Sequence, residues 1–102
     1  MTNKSGESIE AAQALEKVNS GALLIDVRTP QEFSEGHIVG AININSEEAA
    51  LRLEEFGKEK EREVVLYCKM GGRAGRVAEI LIAHGFTQVF NAGAYDDLKE
   101  IF

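Results

Sequence analysis

A chain of 102 residues with 44% hydrophobic content has room for one domain with a single core, which excludes disorder and leaves no space for a second domain. A formal net charge of -6 and a pI near 4.9 argue against nucleic acid or an anionic membrane as a general partner. One cysteine excludes an internal disulfide, and with two well-separated histidines, His37 and His84, it makes no familiar metal-ligand spacing, so neither a metal nor a cofactor is expected.

The segment 1–7 is polar, lacks the apolar stretch of a secretory signal, and is expected to be flexible; no run of the chain approaches a membrane span. The expectation is a cytoplasmic domain over 1–102 as written, or a periplasmic one if an export signal has been removed. Ser8 is expected to cap a helix whose apolar positions Ala11, Ala14, Leu15 and Val18 share one face, with Gly21 as its stop. Ala22 to Val27 is a continuous apolar run of strand length, as in a parallel strand covered on both faces. Thr29-Pro30-Gln31-Glu32 combines a capping hydroxyl, a proline at the first helical position and a carboxylate three residues after the cap, so a short helix starts there and ends before Gly36.

Ala41 to Ile44 alternates apolar and polar residues as a short strand, and from Ser46 the positions Ala49, Leu53 and Phe56 mark one helical face. Gly57 to Glu63 is a charged connector. Val64 to Tyr67 reads as a buried strand, and Val77, Ile80 and Leu81 place a helix over 74–84, ended by Gly85 with His84 meeting the negative end of the dipole. Gln88 to Phe90 is a last strand and Asp96 to Phe102 a closing helix. Strands alternating with helices imply an α/β layer fold around a mostly parallel sheet, with the functional loops at the carboxyl ends of the strands.

Cys68 falls at such an end, between the apolar strand and the following helix. Backbone N–H groups and the positive end of a helix converge on an anion at that kind of turn, and thiols so placed, or set beside cations, have pKa values lowered to roughly 3.5 to 7.5. Gly71 and Gly72 allow left-handed conformations that turn peptide N–H groups inward. Lys69, Arg73 and Arg76 supply charge for an anionic substrate, Arg73 in two-point geometry. The combination makes Cys68 a nucleophile rather than a buried structural thiol; Arg76, one turn into the helix, reads as an exposed helix residue.

Four stretches together resemble the single-domain rhodanese family of sulfurtransferases: Asp26-Val27-Arg28 with Glu32-Phe33, Gly36 to Asn43, the loop Cys68 to Arg73, and Gly85-Phe86 with Val89 to Gly93. The compact size and the Asn91-Ala92-Gly93 ending are most similar to the bacterial phage-shock-protein-E type. The resemblance implies a small three-layer rhodanese-like fold with helices on both faces of the sheet. It implies that Cys68 accepts a sulfane sulfur from an anionic donor such as thiosulfate and passes it to cyanide, a thiol or a protein acceptor. It also implies that Lys69, Met70, Gly71, Gly72 and Arg73 surround the persulfide, that Asp26 and Arg28 support the loop from the neighbouring strand end, and that His37 is architectural. Ala94, where many members have a second glycine, and the absence of tryptophan from the final helix depart from the family pattern.

Two other readings compete. Cysteine phosphatases and arsenate reductases of related fold also use a thiolate in an amide-lined loop, but their loop is one residue longer than the four residues between Cys68 and Arg73. A non-catalytic module that docks on a partner or senses oxidants or sulfide is the third.

Overall fold

The computed structural model describes residues 6–102. Its elements are β1 (Glu7–Ser8), α1 (Ala11–Asn19), β2 (Leu23–Asp26), α2 (Pro30–Glu35), β3 (Ile42–Asn43), two 3-10 turns (Ala49–Leu51 and Leu53–Phe56), β4 (Val64–Cys68), α3 (Gly72–Ala83), β5 (Val89–Ala94) and α4 (Tyr95–Lys99). The five strands form one sheet in the order β1-β5-β4-β2-β3. Every pairing is parallel, so the carboxyl ends of the strands share one edge.

The central strand explains the layers. All five residues of β4 are buried, and because strand side chains alternate between faces, Val64, Leu66 and Cys68 enter one cluster while Val65 and Tyr67 enter another. The first cluster is closed by Val77, Ala78 and Leu81 of α3 and by Ala49 and Phe56 of the 3-10 turns. The second is closed by Ala14 of α1 and Leu98 of α4. The three-layer α/β architecture with helices on both faces is therefore realised, and Cys68 points into the α3 layer.

Several boundaries differ from expectation for local reasons. Ser8 does not cap α1; it lies in β1, paired with Asn91. Glu10 is the cap residue, with its N–H bonded to Gln13 Oε1 at 2.9 Å. β1 is two exposed polar residues with no apolar signal to read, and Glu7, assigned to the flexible segment, pairs with Phe90; residues 1–5 lie outside the described residues. The helix expected from Ser46 is two 3-10 turns broken at Arg52, whose φ of -122° and ψ of 33° are not helical. Its guanidinium bonds Glu48, Glu55 and the Asn43 carbonyl instead, while Ala49 and Phe56 still reach the core. The closing helix runs Tyr95–Lys99 and only a turn follows it.

Candidate functional site

Cys68 is the last residue of β4, and 1% of its surface is exposed. The chain turns sharply at Gly71, whose φ of 97° is left-handed, and enters α3 at Gly72. That turn brings two peptide N–H groups onto the sulfur: Gly71 donates to Cys68 Sγ at 2.8 Å and Ala74 at 3.4 Å. The sulfur thus caps the N-terminus of a twelve-residue helix, where unsatisfied donors and the dipole favour negative charge. Only Gly71 uses the left-handed freedom expected of both glycines; Gly72 is the first helical residue and has no positive φ.

The loop is braced from β5. Asn91 Nδ2 donates to the Gly71 carbonyl at 3.0 Å, and Asn91 Oδ1 accepts from the Gly93 N–H at 2.9 Å. The second bond lies inside a bulge: β4 advances from Leu66 to Cys68 while β5 advances from Asn91 to Ala94. The extra residue and the φ of 84° at Gly93 turn the end of β5. Sequence reasoning gave Asn91 no role, although an asparagine two residues before a glycine is the local signal for a side chain that bonds the following backbone.

A second brace comes from α2. Arg73 makes the expected two-point contact, but with Glu32: Nη1 to Oε1 at 2.8 Å and Nη2 to Oε2 at 3.2 Å. Glu32 Oε1 also accepts from the Thr29 N–H at 2.9 Å, closing the capping box. The Arg73 guanidinium, foremost, and the Thr29 donors hold the Glu32 carboxyl down at about 2. The hydrogen bonds and charge of Glu32 in turn raise Arg73 above its ordinary value.

Asp26 and Arg28 form a buried ion pair. Arg28 Nη2 lies 2.7 Å from Asp26 Oδ2, and Asp26 Oδ1 accepts from both the N–H and Nε of Arg28 at 2.9 and 3.0 Å. The Arg28 guanidinium also donates to the Gly36 carbonyl at 2.6 Å and sits 4.4 Å from the Tyr95 ring centroid. Among the described residues neither side chain hydrogen-bonds residues 69–73. What the pair fixes is the chain around it: β2's end, the Gly36 turn and Tyr95. On the same side of the sheet the Tyr67 hydroxyl accepts the buried Ile38 N–H at 3.0 Å, and burial holds that hydroxyl well above its usual range.

The sulfur opens onto a hollow of about 340 Å³ lined by Cys68, Lys69, Met70, Gly72, Arg73 and Arg76. Arg76 is exposed, as expected, yet it lines the cysteine's hollow. A second hollow of about 220 Å³ adjoins across Lys69 and is walled by Arg28, Glu32 and Tyr95 among others. Neither histidine lines either hollow: His37 stacks on Phe33 at 3.6 Å between centroids, and His84 Nδ1 pairs with the Ile80 carbonyl at 2.9 Å. Among the described residues no group of His, Cys, Asp and Glu is arranged to hold a metal, and no helix is long and apolar enough to cross a membrane.

The sequence profile of the Rhodanese-like domain matches residues 10–99. The thiosulfate sulfurtransferase PspE of Escherichia coli is 39% identical over 74 residues, which cover 72% of this chain and 71% of that protein. The uncharacterized protein YqhL of Bacillus subtilis is 44% identical over 70 residues, and there the match spans 69% of this chain and about half, 54%, of the relative. Among solved structures, the human single-domain sulfurtransferase TSTD1 superimposes with a TM-score of 0.82 at 29% identity, covering 95% of this chain and 98% of that one. An Escherichia coli rhodanese with anions gives 0.71 at 38% identity, covering 76% and 91%.

Proposed function

The chain belongs to the rhodanese-like domain family, and from that premise we propose that it is a sulfurtransferase carrying sulfane sulfur on Cys68. One observation carries the assignment: the sulfur of Cys68 receives two backbone N–H groups, at 2.8 and 3.4 Å, and faces an open hollow edged with cations. A charge that moves by one atom, from Sγ to the outer sulfur of a persulfide, stays within reach of donors already fixed in place.

In the first half-reaction the Cys68 thiolate attacks the outer sulfur of thiosulfate. A new S–S bond forms at Cys68, the donor's S–S bond breaks, and its electron pair leaves with sulfite. In the second, cyanide or a thiolate attacks the outer sulfur of the persulfide, the Cys68 S–S bond breaks, and the cysteine thiolate returns with thiocyanate or a new persulfide as product. The cycle is ping-pong nucleophilic catalysis, without net oxidation and without a cofactor. Sulfur-acceptor proteins are compatible with the same site, because Met70 at its rim is 84% exposed.

The phosphatase reading fares worse. Four residues separate Cys68 from Arg73, and the terminal nitrogens of Arg73, which would grip a phosphoryl group, are both engaged by Glu32. The test is the intact mass after thiosulfate treatment. One added sulfur atom, removed by cyanide and absent from Cys68→Ser, is expected. Cys68-dependent hydrolysis of a phenyl phosphate without sulfur loading would replace this reading with the phosphatase one.

A further inference from the structure

We infer that the sulfonate end of the donor is seated by Arg76 and Lys69, while Arg73, the cation at the end of the cysteine loop, is a brace withheld from the substrate. This rests on the sulfurtransferase reading above and assigns the donor seat within the same site.

Three cations line the hollow in front of Cys68, and they differ in what already holds them. Arg73 is in two-point contact with Glu32, at 2.8 and 3.2 Å. Turning it toward a bound anion would break both contacts and leave Glu32, itself anchored by Thr29 at 2.9 Å, as a bare carboxylate beside that anion. Arg76 and Lys69, in contrast, form no ion pair or side-chain hydrogen bond among the described residues, so neither gives up a partner on meeting a ligand. Arg76 follows Arg73 by three positions on α3, which sets both on one face of the helix, one turn apart. Lys69 comes from the other end of the loop, immediately after β4, and lines the same hollow.

The chemistry of the donor matches two unneutralised charges. Thiosulfate is a dianion that presents its outer sulfur to the nucleophile and its sulfonate away from it, and the sulfite that leaves is also largely dianionic. With the outer sulfur at Cys68 and the amides of Gly71 and Ala74, the sulfonate falls in the outer part of the hollow. In a chain with a net charge of -6, such a pair of free cations also supplies the local attraction that the rest of the surface opposes.

The experiment measures sulfite protection of Cys68 against the neutral reagent iodoacetamide, read as the sulfite concentration giving half protection. That concentration is independent of the unprotected alkylation rate, so an altered thiol reactivity does not imitate a lost seat. Arg76→Gln and Lys69→Gln are each expected to raise it roughly tenfold, as for the loss of one charge-assisted hydrogen bond. Arg76→Lys should restore most of the protection. The paired neutral variant Glu32→Gln with Arg73→Gln should shift it less than Arg76→Gln does, and the KM for thiosulfate should follow the same order. An unchanged half-protection in Arg76→Gln, a larger loss in the paired variant, or no sulfite protection of the wild type would overturn the assignment. Thiosulfate loading of the wild type, run alongside, separates the two readings. Loading with an unaffected Arg76→Gln sinks the seat alone. Protection without any loading sinks the sulfur-transfer reading and leaves an anion seat.

Discussion

Replacing Asp26 with Ala isolates the buried charge pair behind the site. Asp26 is fully buried and Arg28 is 5% exposed. The carboxylate is met by the Arg28 N–H at 2.9 Å, Nε at 3.0 Å and Nη2 at 2.7 Å, so its removal strips three donors at once. What remain for the guanidinium are the Gly36 carbonyl at 2.6 Å and the faces of the Tyr95 and Tyr67 rings at 4.4 and 5.7 Å, none of which carries a compensating charge. Removing one partner of such a pair costs about 3–5 kcal/mol, against a total of about 5–15 kcal/mol for a domain of this size. Each kcal/mol moves the midpoint of a domain of about 100 residues by roughly 4–8 °C, so Tm should fall by at least about 12 °C. Urea unfolding with linear extrapolation gives the free energy directly. The double replacement Asp26→Leu with Arg28→Met removes both charges and should recover at least half of the loss, since apolar side chains of similar volume often substitute for a buried pair at little cost. A loss under about 1 kcal/mol in Asp26→Ala, below the range for an uncompensated buried charge, would refute this account of the pair. So would a double variant no more stable than the single one.

Glu32→Gln should be less stable than the wild type at neutral pH. The Glu32 carboxyl is lowered from 4.5 to about 2 by Arg73 and Thr29, so its contribution is fully present above about 4.5 and is lost as the pH falls through about 2; the two unfolding curves should converge across that window. Gly71→Ala forces a φ of 97° on a residue with a Cβ, a strain of about 1–2 kcal/mol, visible in urea unfolding. Because Gly93 Cα would lie 3.5 Å away, in ordinary contact, the loss is one of backbone conformation, and persulfide formation should fall with it. Asn91→Ala takes the side-chain acceptor from the Gly93 N–H and leaves the Gly71 carbonyl with the Gly75 N–H; a loss of about 1–3 kcal/mol and faster amide exchange at Gly93 are expected. Unchanged exchange there would mean that the bulge holds without its side chain.

The strongest signals in the sequence were those in which one local cause decides the outcome. Thr29-Pro30-Gln31-Glu32 specified the start of α2 because capping box and proline act within a single turn, and α2 indeed begins at Pro30 with Thr29 as its cap. The apolar runs placed β2 and β4, since strands covered on both faces are apolar almost throughout; in β2 only Asp26 departs, and Arg28 meets its charge. Elements held by distant partners leave little local signal. β1 is two polar residues whose only reason to be extended is the free edge of β5. The spacing of Ala49, Leu53 and Phe56 points to one helix because apolar anchors in two short turns mimic a continuous face. At the site, sequence position put Cys68, Lys69, Met70 and Arg73 in one loop and the fold keeps them around one hollow. The side chains that hold this loop lie far along the chain: Glu32 is 41 residues from Arg73 and Asn91 is 20 from Gly71, separations that no local pattern encodes.

Those two distant partners explain how so short a loop keeps its shape. Residues 69–71 sit outside both β4 and α3. A turn this short, with a glycine at its centre, has many conformations to lose, and order must be imposed from outside. Asn91 fixes the Gly71 carbonyl from β5, so the residue is held on both sides, its carbonyl by Asn91 and its N–H by Cys68 Sγ. Glu32 fixes Arg73 from α2 and so holds the first turn of α3, from which Ala74 donates the second hydrogen bond. A carboxylate has about four lone-pair sites, enough for Thr29 and Arg73 together, so one side chain both starts α2 and anchors α3. Fraying of α2 would therefore release Arg73 and slacken the donors on the sulfur, coupling the order of a helix that, among the described residues, makes no hydrogen bond to Cys68 to the site's capacity to hold an anion.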